Sequence, residues 1–412
     1  MSVSTVSGGS ILPMRIVVIT NLYPAYISQL ASENTQVVHF FSREWVKQGH
    51  QVEVFAIWPY YPTFFSFLPG GRRRQKYSFE ETFILDGVQI TRIPFEKFPR
   101  LLCSERAFSG ASETILEHMK SRPDVVICHR MDPSAPIAAE VGKRLGVKYL
   151  LVLHKSDLQN LDNGRYYKKA AFVRSLENAA GVAFRSEYLH RWFDGLFPDL
   201  SKPEAVLKSG LQREIFETRE FIVEKARRPI RRLLTACRLI KDKNVDSVIR
   251  ATRRIPDINL EIVGDGPRMG ELKKLSKKIG VEGRVSFTGR LSHSDTLSRM
   301  RVADVFAMPS TRETFGMVYL EAMSKGCITI GSRNEGIDGT IVDGHNGFLV
   351  DAGDTEDLVR KISMIKDLSV SERERILLNA LGTLKGMTEE RAATVYLSFI
   401  EDVLTRDEGN DK

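Results

Sequence analysis

Two glutamates eight positions apart bracket a glycine in the stretch Glu313-Thr-Phe-Gly-Met-Val-Tyr-Leu-Glu321, and two cations, Arg238 and Lys243, stand five positions apart earlier in the chain. The apolar run 305–308 predicts a strand that stops at Pro309 and Ser310, which leaves Glu313 on a loop. Residues 317–325 have the composition of a helix that starts near Gly316, so Glu321 lies inside it. At a rise of ~1.5 Å per residue, Glu321 is roughly 7 Å along the axis from the first free backbone N–H groups. Those amides and the positive end of the helix dipole suit a diphosphate, and a ribose attached to it would lie about that far along the helix. One carboxylate would then meet a sugar and the other the ribose. For an arbitrary Glu-x7-Glu the commoner explanation is an acid near a dipole plus a solvated face.

Arg238 and Lys243 follow an apolar run, 233–237, and lead into a helical pattern. A lysine at a helix N-terminus opposes the dipole, and a bound anion between them would remove that conflict. A solvated lysine is the alternative. Gly264-Asp-Gly-Pro267 follows the run 260–263, where Pro267 suits a first helical position and Gly264 would admit close backbone approach. A lone GxG is equally an ordinary strand-to-helix turn.

The elements that must hold these residues recur along the chain. Apolar runs at 15–20, 52–57, 88–93, 125–128, 149–153 and 182–184 alternate with helical patterns, including 138–145. The alternation restarts at Arg232, with runs at 233–237, 260–263, 285–288 and 305–308 between helical stretches. Strands separated by helices predict a doubly wound parallel sheet, and ligands bind beyond the carboxyl ends of its strands. Two such patterns in 412 residues predict two α/β domains, since one core rarely grows that large. The boundaries expected are a loose leader over 1–13, a first domain over 14–212, a charged connection over 213–231, a second domain over 232–386 and a terminal helix over 387–412. The apolar stripe of that helix, with Ala393, Tyr396 and Ile400, belongs either to the second domain or to a return across the first.

After Glu321 come Gly326-Cys-Ile-Thr-Ile-Gly-Ser332, Asn334-Glu335-Gly336-Ile337, Asp343-Gly-His-Asn-Gly-Phe-Leu-Val350 and Gly353-Asp354. On these motifs the chain resembles the retaining glycosyltransferases of family 4, whose signature is the Glu-x7-Glu helix followed by such a glycine-rich stretch. The resemblance implies a GT-B architecture, two Rossmann-like domains facing a central cleft. It covers residues 205–360 most fully, and 14–60 and 120–190 less so. Arg238 and Lys243 resemble the family's diphosphate clamp, with Cys237 and Asn244 where glycines are usual. Gly264 falls beside the nucleoside, and Gly289 with Arg290 at the position whose backbone meets the base. Thr314, Phe315, Gly316 and Met317 then lie at the phosphates, Glu313 at the donor sugar and Glu321 at the ribose.

In the first half, His154-Lys-Ser-Asp157 resembles the element whose histidine faces the transferred sugar, and His154 is favoured over His129, which ends another strand. The usual Gly-Gly loop is replaced by the segment from Gln29 to Thr35, and the usual turn before the second domain by Ser209-Gly210-Leu211-Gln212. The implied chemistry is metal-independent transfer with retention, with no cofactor beyond the nucleotide-diphosphate sugar donor. Nothing in the sequence identifies a covalent nucleophile, and no DxD motif marks a cation site.

Composition limits the alternatives. An apolar share of 42% with 27% charged residues is globular. No window approaches ~18 uninterrupted apolar residues, and no signal sequence is evident, so the cytoplasm is the expected compartment. Cys103, Cys128, Cys237 and Cys327 lack metal-ligand spacing. The net charge of +8 admits acidic partners, but no nucleic-acid-binding motif accompanies it. Expected partners are the nucleotide sugar and a glycan or lipid-linked acceptor. The aromatic and basic loop 58–76 is either a peripheral contact at the cytoplasmic membrane face or a loop packed on its own domain. A nucleotide-sugar epimerase, a glycosidase and a non-catalytic nucleotide-sugar binder are the competing classes.

Overall fold

The structure, a computed structural model, describes residues 12–24, 36–65, 77–97, 105–165 and 170–406. Two compact units emerge. The first runs to Phe184 and takes in Trp192–Leu207 and the chain from Ala392, and the second comprises Arg185–Arg191 and Lys208–Arg391. Most of the leader, the segment from Gln29 to Thr35 and the basic part of the 58–76 loop lie outside the described residues.

The first unit holds an eight-stranded sheet made of β1 (Arg15–Thr20), β2 (Gln51–Tyr60), β3 (Glu81–Leu85), β4 (Val88–Glu96), β5 (Val125–His129), β6 (Tyr149–Leu153), β7 (Gly181–Phe184) and β8 (Glu204–Val206). Its order is β3-β4-β2-β1-β5-β6-β7-β8. The central strands β5, β6 and β7 are buried along their whole length, as an apolar run covered on both faces requires. Every pairing is parallel except β3 with β4. That hairpin was not expected. Its turn is Asp86-Gly87, with φ of 48° and 79°, the left-handed pair that a two-residue hairpin needs. Ala393, Tyr396, Leu397, Ile400 and Val403 of the helix Glu389–Thr405 are buried in this unit's core beside Phe41 and Trp45. The Trp45 indole donates to the Ala393 carbonyl at 3.3 Å.

The second unit holds six parallel strands: β9 (Arg232–Ala236), β10 (Asn259–Val263), β11 (Val285–Gly289), β12 (Val305–Ala307), β13 (Ile328–Ser332) and β14 (Phe348–Val350). The order β11-β10-β9-β12-β13-β14 has a physical consequence. From β9 the chain moves to one side for β10 and β11, then returns to the other side for β12. The connections from β9 and β12 therefore run to opposite sides of the sheet, which makes their junction the switch point where open α/β sheets bind ligands.

The stretch expected as a connection, 213–231, contains the helix Arg219–Ala226, capped by the Thr218 hydroxyl on the Phe221 N–H at 3.3 Å. Ile222 and Ala226, one turn apart, are buried in the second unit's main core. Charge on the exposed face conceals that stripe from a compositional reading.

Candidate active site

Lys243 and Glu313 are placed by the two loops at the switch point. After β9 the chain passes Arg238 and makes a short turn, Lys241–Lys243, that ends at Asn244 with φ of 46°. After β12 it passes Pro309 and runs to Gly316. Backbone and side-chain bonds pin one loop to the other: the Thr311 N–H donates to the Asp242 carbonyl at 2.8 Å, and the Asn244 amide to the Pro309 carbonyl at 2.8 Å. Asparagine replaces the usual glycine at 244, yet it tolerates the left-handed backbone and adds that second bond. Across this junction Lys243 Nζ forms an ion pair with Glu313 Oε2. The two side chains are 19% and 13% exposed.

A second loop supports Glu313 from behind. The buried Glu335 carboxylate accepts from the Glu313 N–H at 2.7 Å, and the Gly336 N–H donates to the Glu313 carbonyl at 3.2 Å. A Cβ on Gly336 would lie 2.4 Å from the Thr314 carbonyl carbon, so glycine is required there by the loop above it. Sequence reading missed Glu335 as a contributor. Only its place in the Asn334-Glu335-Gly336-Ile337 motif hinted at it.

Gly316 carries φ of 83°, and a Cβ there would sit 2.5 Å from the Tyr319 ring. That ring is buried, and its hydroxyl donates to the Met308 carbonyl at 2.5 Å, tying the helix Met317–Ser324 to the end of β12. The N–H groups of Phe315, Gly316 and Met317 meet no protein acceptor among the described residues. Unpaired amides at a helix start are groups that suit an anion. Thr314 donates its N–H to Glu313 Oε1 at 3.2 Å. Burial, chiefly, pushes the nearby Cys237 thiol up to about 12, so it stays a neutral packing group. Arg238 is exposed and has no ion-pair partner among the described residues.

The Gly264 turn has a different cause from the one its motif suggests. With φ of 129°, a Cβ at Gly264 would fall 1.9 Å from the Cys237 carbonyl oxygen, and at Gly266 2.5 Å from that of Leu239. The close approach that demands glycine is between the ends of β9 and β10. The Leu239 N–H donates to the Asp265 carbonyl at 3.0 Å, and the Gly264 N–H to Gly289 at 2.8 Å. Gly264 and Gly289 thus hold the loop that presents Arg238, and Arg290 points from the next turn with an exposed side chain.

Glu321 is on the inner part of the helix and 16% exposed. Its Oε1 accepts from His293 Nε2 at 3.0 Å, a contact that bridges 28 residues of sequence. That hydrogen bond raises the His293 pKa above its ordinary value. The glycine-rich stretch proves architectural. Asp343 accepts from the Leu349 N–H at 3.0 Å and from Lys361 at 2.9 Å, Asn346 closes the turn on Val342 at 2.7 Å, and Asp354 caps the helix Thr355–Asp367.

In the first unit His154 follows β6 and starts the helix Lys155–Asp162. Its N–H donates at 2.9 Å to the buried Asp157, whose other oxygen accepts from Met131 at 3.1 Å. His129 and His154 are not alternatives in space: they end neighbouring strands, with His129 Nδ1 3.4 Å from His154 Nε2. His129 is wholly buried, and its Nε2 lies 3.3 Å from the Tyr396 hydroxyl.

Among the described residues, no helix is long and apolar enough to cross a membrane.

Comparison with known proteins adds the following. Residues 218–380 match the family profile "Glycosyl transferases group 1", and residues 35–202 match "Glycosyltransferase Family 4". The lipopolysaccharide core biosynthesis glycosyltransferase LpsE of Rhizobium meliloti is 35% identical over 40% of this chain and 47% of its own length. A GDP-mannose-dependent phosphatidylinositol monomannoside mannosyltransferase of Mycolicibacterium smegmatis is 34% identical over 35% of this chain and 40% of its own. This chain thus spans about half the length of these curated relatives. Among solved structures, HepE of Anabaena in complex with UDP covers 94% of this chain and 100% of its own, with a TM-score of 0.67 at 18% identity. Sucrose-phosphate synthase of Thermosynechococcus elongatus covers 94% of this chain and 99% of its own, with a TM-score of 0.68 at 17% identity. At such identities the likeness establishes the fold, two parallel-sheet α/β domains of the GT-B type.

Proposed function

Since the chain belongs to the group 1, family 4 glycosyltransferases of the GT-B fold, we propose that it moves a sugar from a nucleoside-diphosphate sugar, UDP- or GDP-linked, to a glycan or lipid-linked acceptor. The observation that carries this reading is the meeting of Lys243, Glu313 and three unpaired N–H groups at the switch point of the second sheet. A solved relative named above holds UDP, and two curated relatives are named as glycosyltransferases, which agrees with a nucleotide-sugar donor and with surface polysaccharide or glycolipid synthesis.

A sugar nucleotide brings its own leaving group. What the protein must supply is positive potential for the diphosphate charge that grows as the glycosidic bond breaks. Lys243, Arg238 and the amides of Phe315, Gly316 and Met317 supply it in this reading, and the cationic clamp does the work a divalent cation would do elsewhere. Diphosphate arrival gives Lys243 a second anion and frees Glu313 for the hydroxyls of the donor sugar. Glu321 takes the ribose hydroxyls. Retention follows if the acceptor attacks from the face the diphosphate leaves, with the departing phosphate oxygen taking the acceptor's proton.

The test is incubation of the chain with labelled UDP- and GDP-sugars, with and without lipid-linked and free glycan acceptors. Acceptor-dependent transfer supports the reading. A changed sugar nucleotide without acceptor would instead establish an epimerase. Location at the cytoplasmic membrane face, through 58–76, belongs to the same proposal and predicts salt-sensitive flotation with anionic liposomes.

A further inference from the structure

The proposed ribose ligand, Glu321, is not free to choose its own orientation. A glutamate side chain has three rotatable bonds, and one projecting from a helix samples several rotamers unless something holds it. Among the described residues its carboxylate takes a single hydrogen bond, from His293 Nε2 to Oε1 at 3.0 Å, and Oε2 takes none. His293 is the first residue of the helix His293–Val302, directly after the capping Ser292, whose hydroxyl accepts from the Asp295 N–H at 3.1 Å. It lies four residues past Gly289, at the end of β11. The imidazole therefore stands on a fixed backbone, and its Nε2–H is a donor in both the neutral tautomer this contact requires and the imidazolium.

We propose that His293 is a positioning residue for Glu321: it fixes Oε1 and leaves Oε2, with the remaining lone pairs, presented to the vicinal hydroxyls of a nucleoside-diphosphate ribose. This rests on the reading of the second unit as a nucleotide-sugar site. His293 touches no phosphate or sugar in this account. Its contribution is to remove conformational freedom from the carboxylate before the ligand arrives, which is preorganisation rather than contact. A purely structural role, pinning one helix to the next, is the competing explanation, and it predicts a loss of thermal stability without any ribose-specific effect.

The two explanations separate in a binding experiment on the full chain. Titration calorimetry with UDP and with GDP, each beside its 2′-deoxy counterpart, would be run on the wild type, His293→Ala, His293→Gln, Glu321→Gln and the double variant His293→Ala with Glu321→Gln. Ordering one rotamer-rich side chain corresponds to about 3- to 10-fold in affinity. His293→Ala should weaken the ribonucleotide by about that factor and the 2′-deoxy form by less. His293→Gln, whose amide nitrogen falls near the place of Nε2, should restore most of the loss. In the Glu321→Gln background His293→Ala should add little, because the carboxylate presented to the ribose is gone. Wild-type affinity in His293→Ala, an equal loss for the deoxy nucleotide, or an undiminished loss in the Glu321→Gln background would each overturn the proposal while leaving the nucleotide site standing. If neither UDP nor GDP binds the wild type, the proposed function fails and this inference falls with it.

Discussion

Glu313 and Glu321 are held by different bases in different surroundings, and the contrast separates two kinds of readiness. On the loop after β12, Glu313 pairs with an ammonium, and both side chains are largely withdrawn from water. One helix turn and more away, Glu321 pairs with an imidazole that is 66% exposed. The first pair joins two full charges in a largely buried contact, and a competing anion would exchange it. The second pair weakens when the imidazole loses its proton. In the proposed function the loop end of the segment is a latch that a diphosphate would open, and the helix end is a carboxylate already held by His293.

The largest effects should come from the latch. Replacing Arg238 and Lys243 together by alanine is expected to lower transfer by about 10²- to 10³-fold, the range for removing a preorganised charge from a developing anion. Glu313→Gln should fall in the same range by kcat, whereas Glu321→Gln should act mainly on the donor KM. Steady-state kinetics on the three variants decide the matter, and near-normal turnover in the first would abolish the distinction between the two ends.

Gly336→Ala sharpens it further. The added Cβ would press on the Thr314 carbonyl and lift the Glu313 loop, at a cost of about 1–3 kcal/mol in a denaturant titration. Transfer should fall, and nucleoside-diphosphate affinity by less, since of the three helix-start amides only that of Phe315, whose nitrogen the Cβ would meet at 2.6 Å, is displaced directly. Equal losses in both would show that the loop and the helix act as one body.

The legibility of these parts in the sequence differs for the same physical reason. Glu313, Gly316 and Glu321 lie within one strand-loop-helix unit, and Arg238 with Lys243 within another, so local spacing raised them as candidates and the resemblance to family 4 chose among the readings. Which strand stands beside which is a long-range matter, yet the switch point between β9 and β12 follows from two runs of strand-helix alternation once the sheet order is known. His293 and Glu335 escaped because their partners are 28 and 22 residues away, and no local pattern records such contacts. The Gly264 motif was legible but its cause was not: backbone crowding against Cys237 demands the glycine. The β3–β4 hairpin could have been found from Asp86-Gly87 between two β-rich runs. The helix Arg219–Ala226 was hidden by its charges: Ile222 and Ala226 mark the buried side, but the buried Lys225 reads as one more surface charge.

A smaller effect tests the helix end by itself. Because the bond to Glu321 raises the His293 pKa, its NMR titration in the wild type should lie above the ~6.5 of a free imidazole and fall back toward it in Glu321→Gln. By linkage, the pair's stabilisation is fully present below the unfolded-state value and is lost as pH rises through the folded one. An unchanged titration in Glu321→Gln would remove His293 from the comparison.

The central claim, that a diphosphate takes Lys243 from Glu313, is tested most directly by a crystal structure of the chain with its nucleoside diphosphate. The account predicts phosphate oxygens within hydrogen-bond distance of the Gly316 and Met317 amides, Lys243 Nζ on a phosphate, and the Glu313 carboxylate turned away from it. A nucleotide bound elsewhere, or one bound here with the Lys243–Glu313 pair intact, would contradict it.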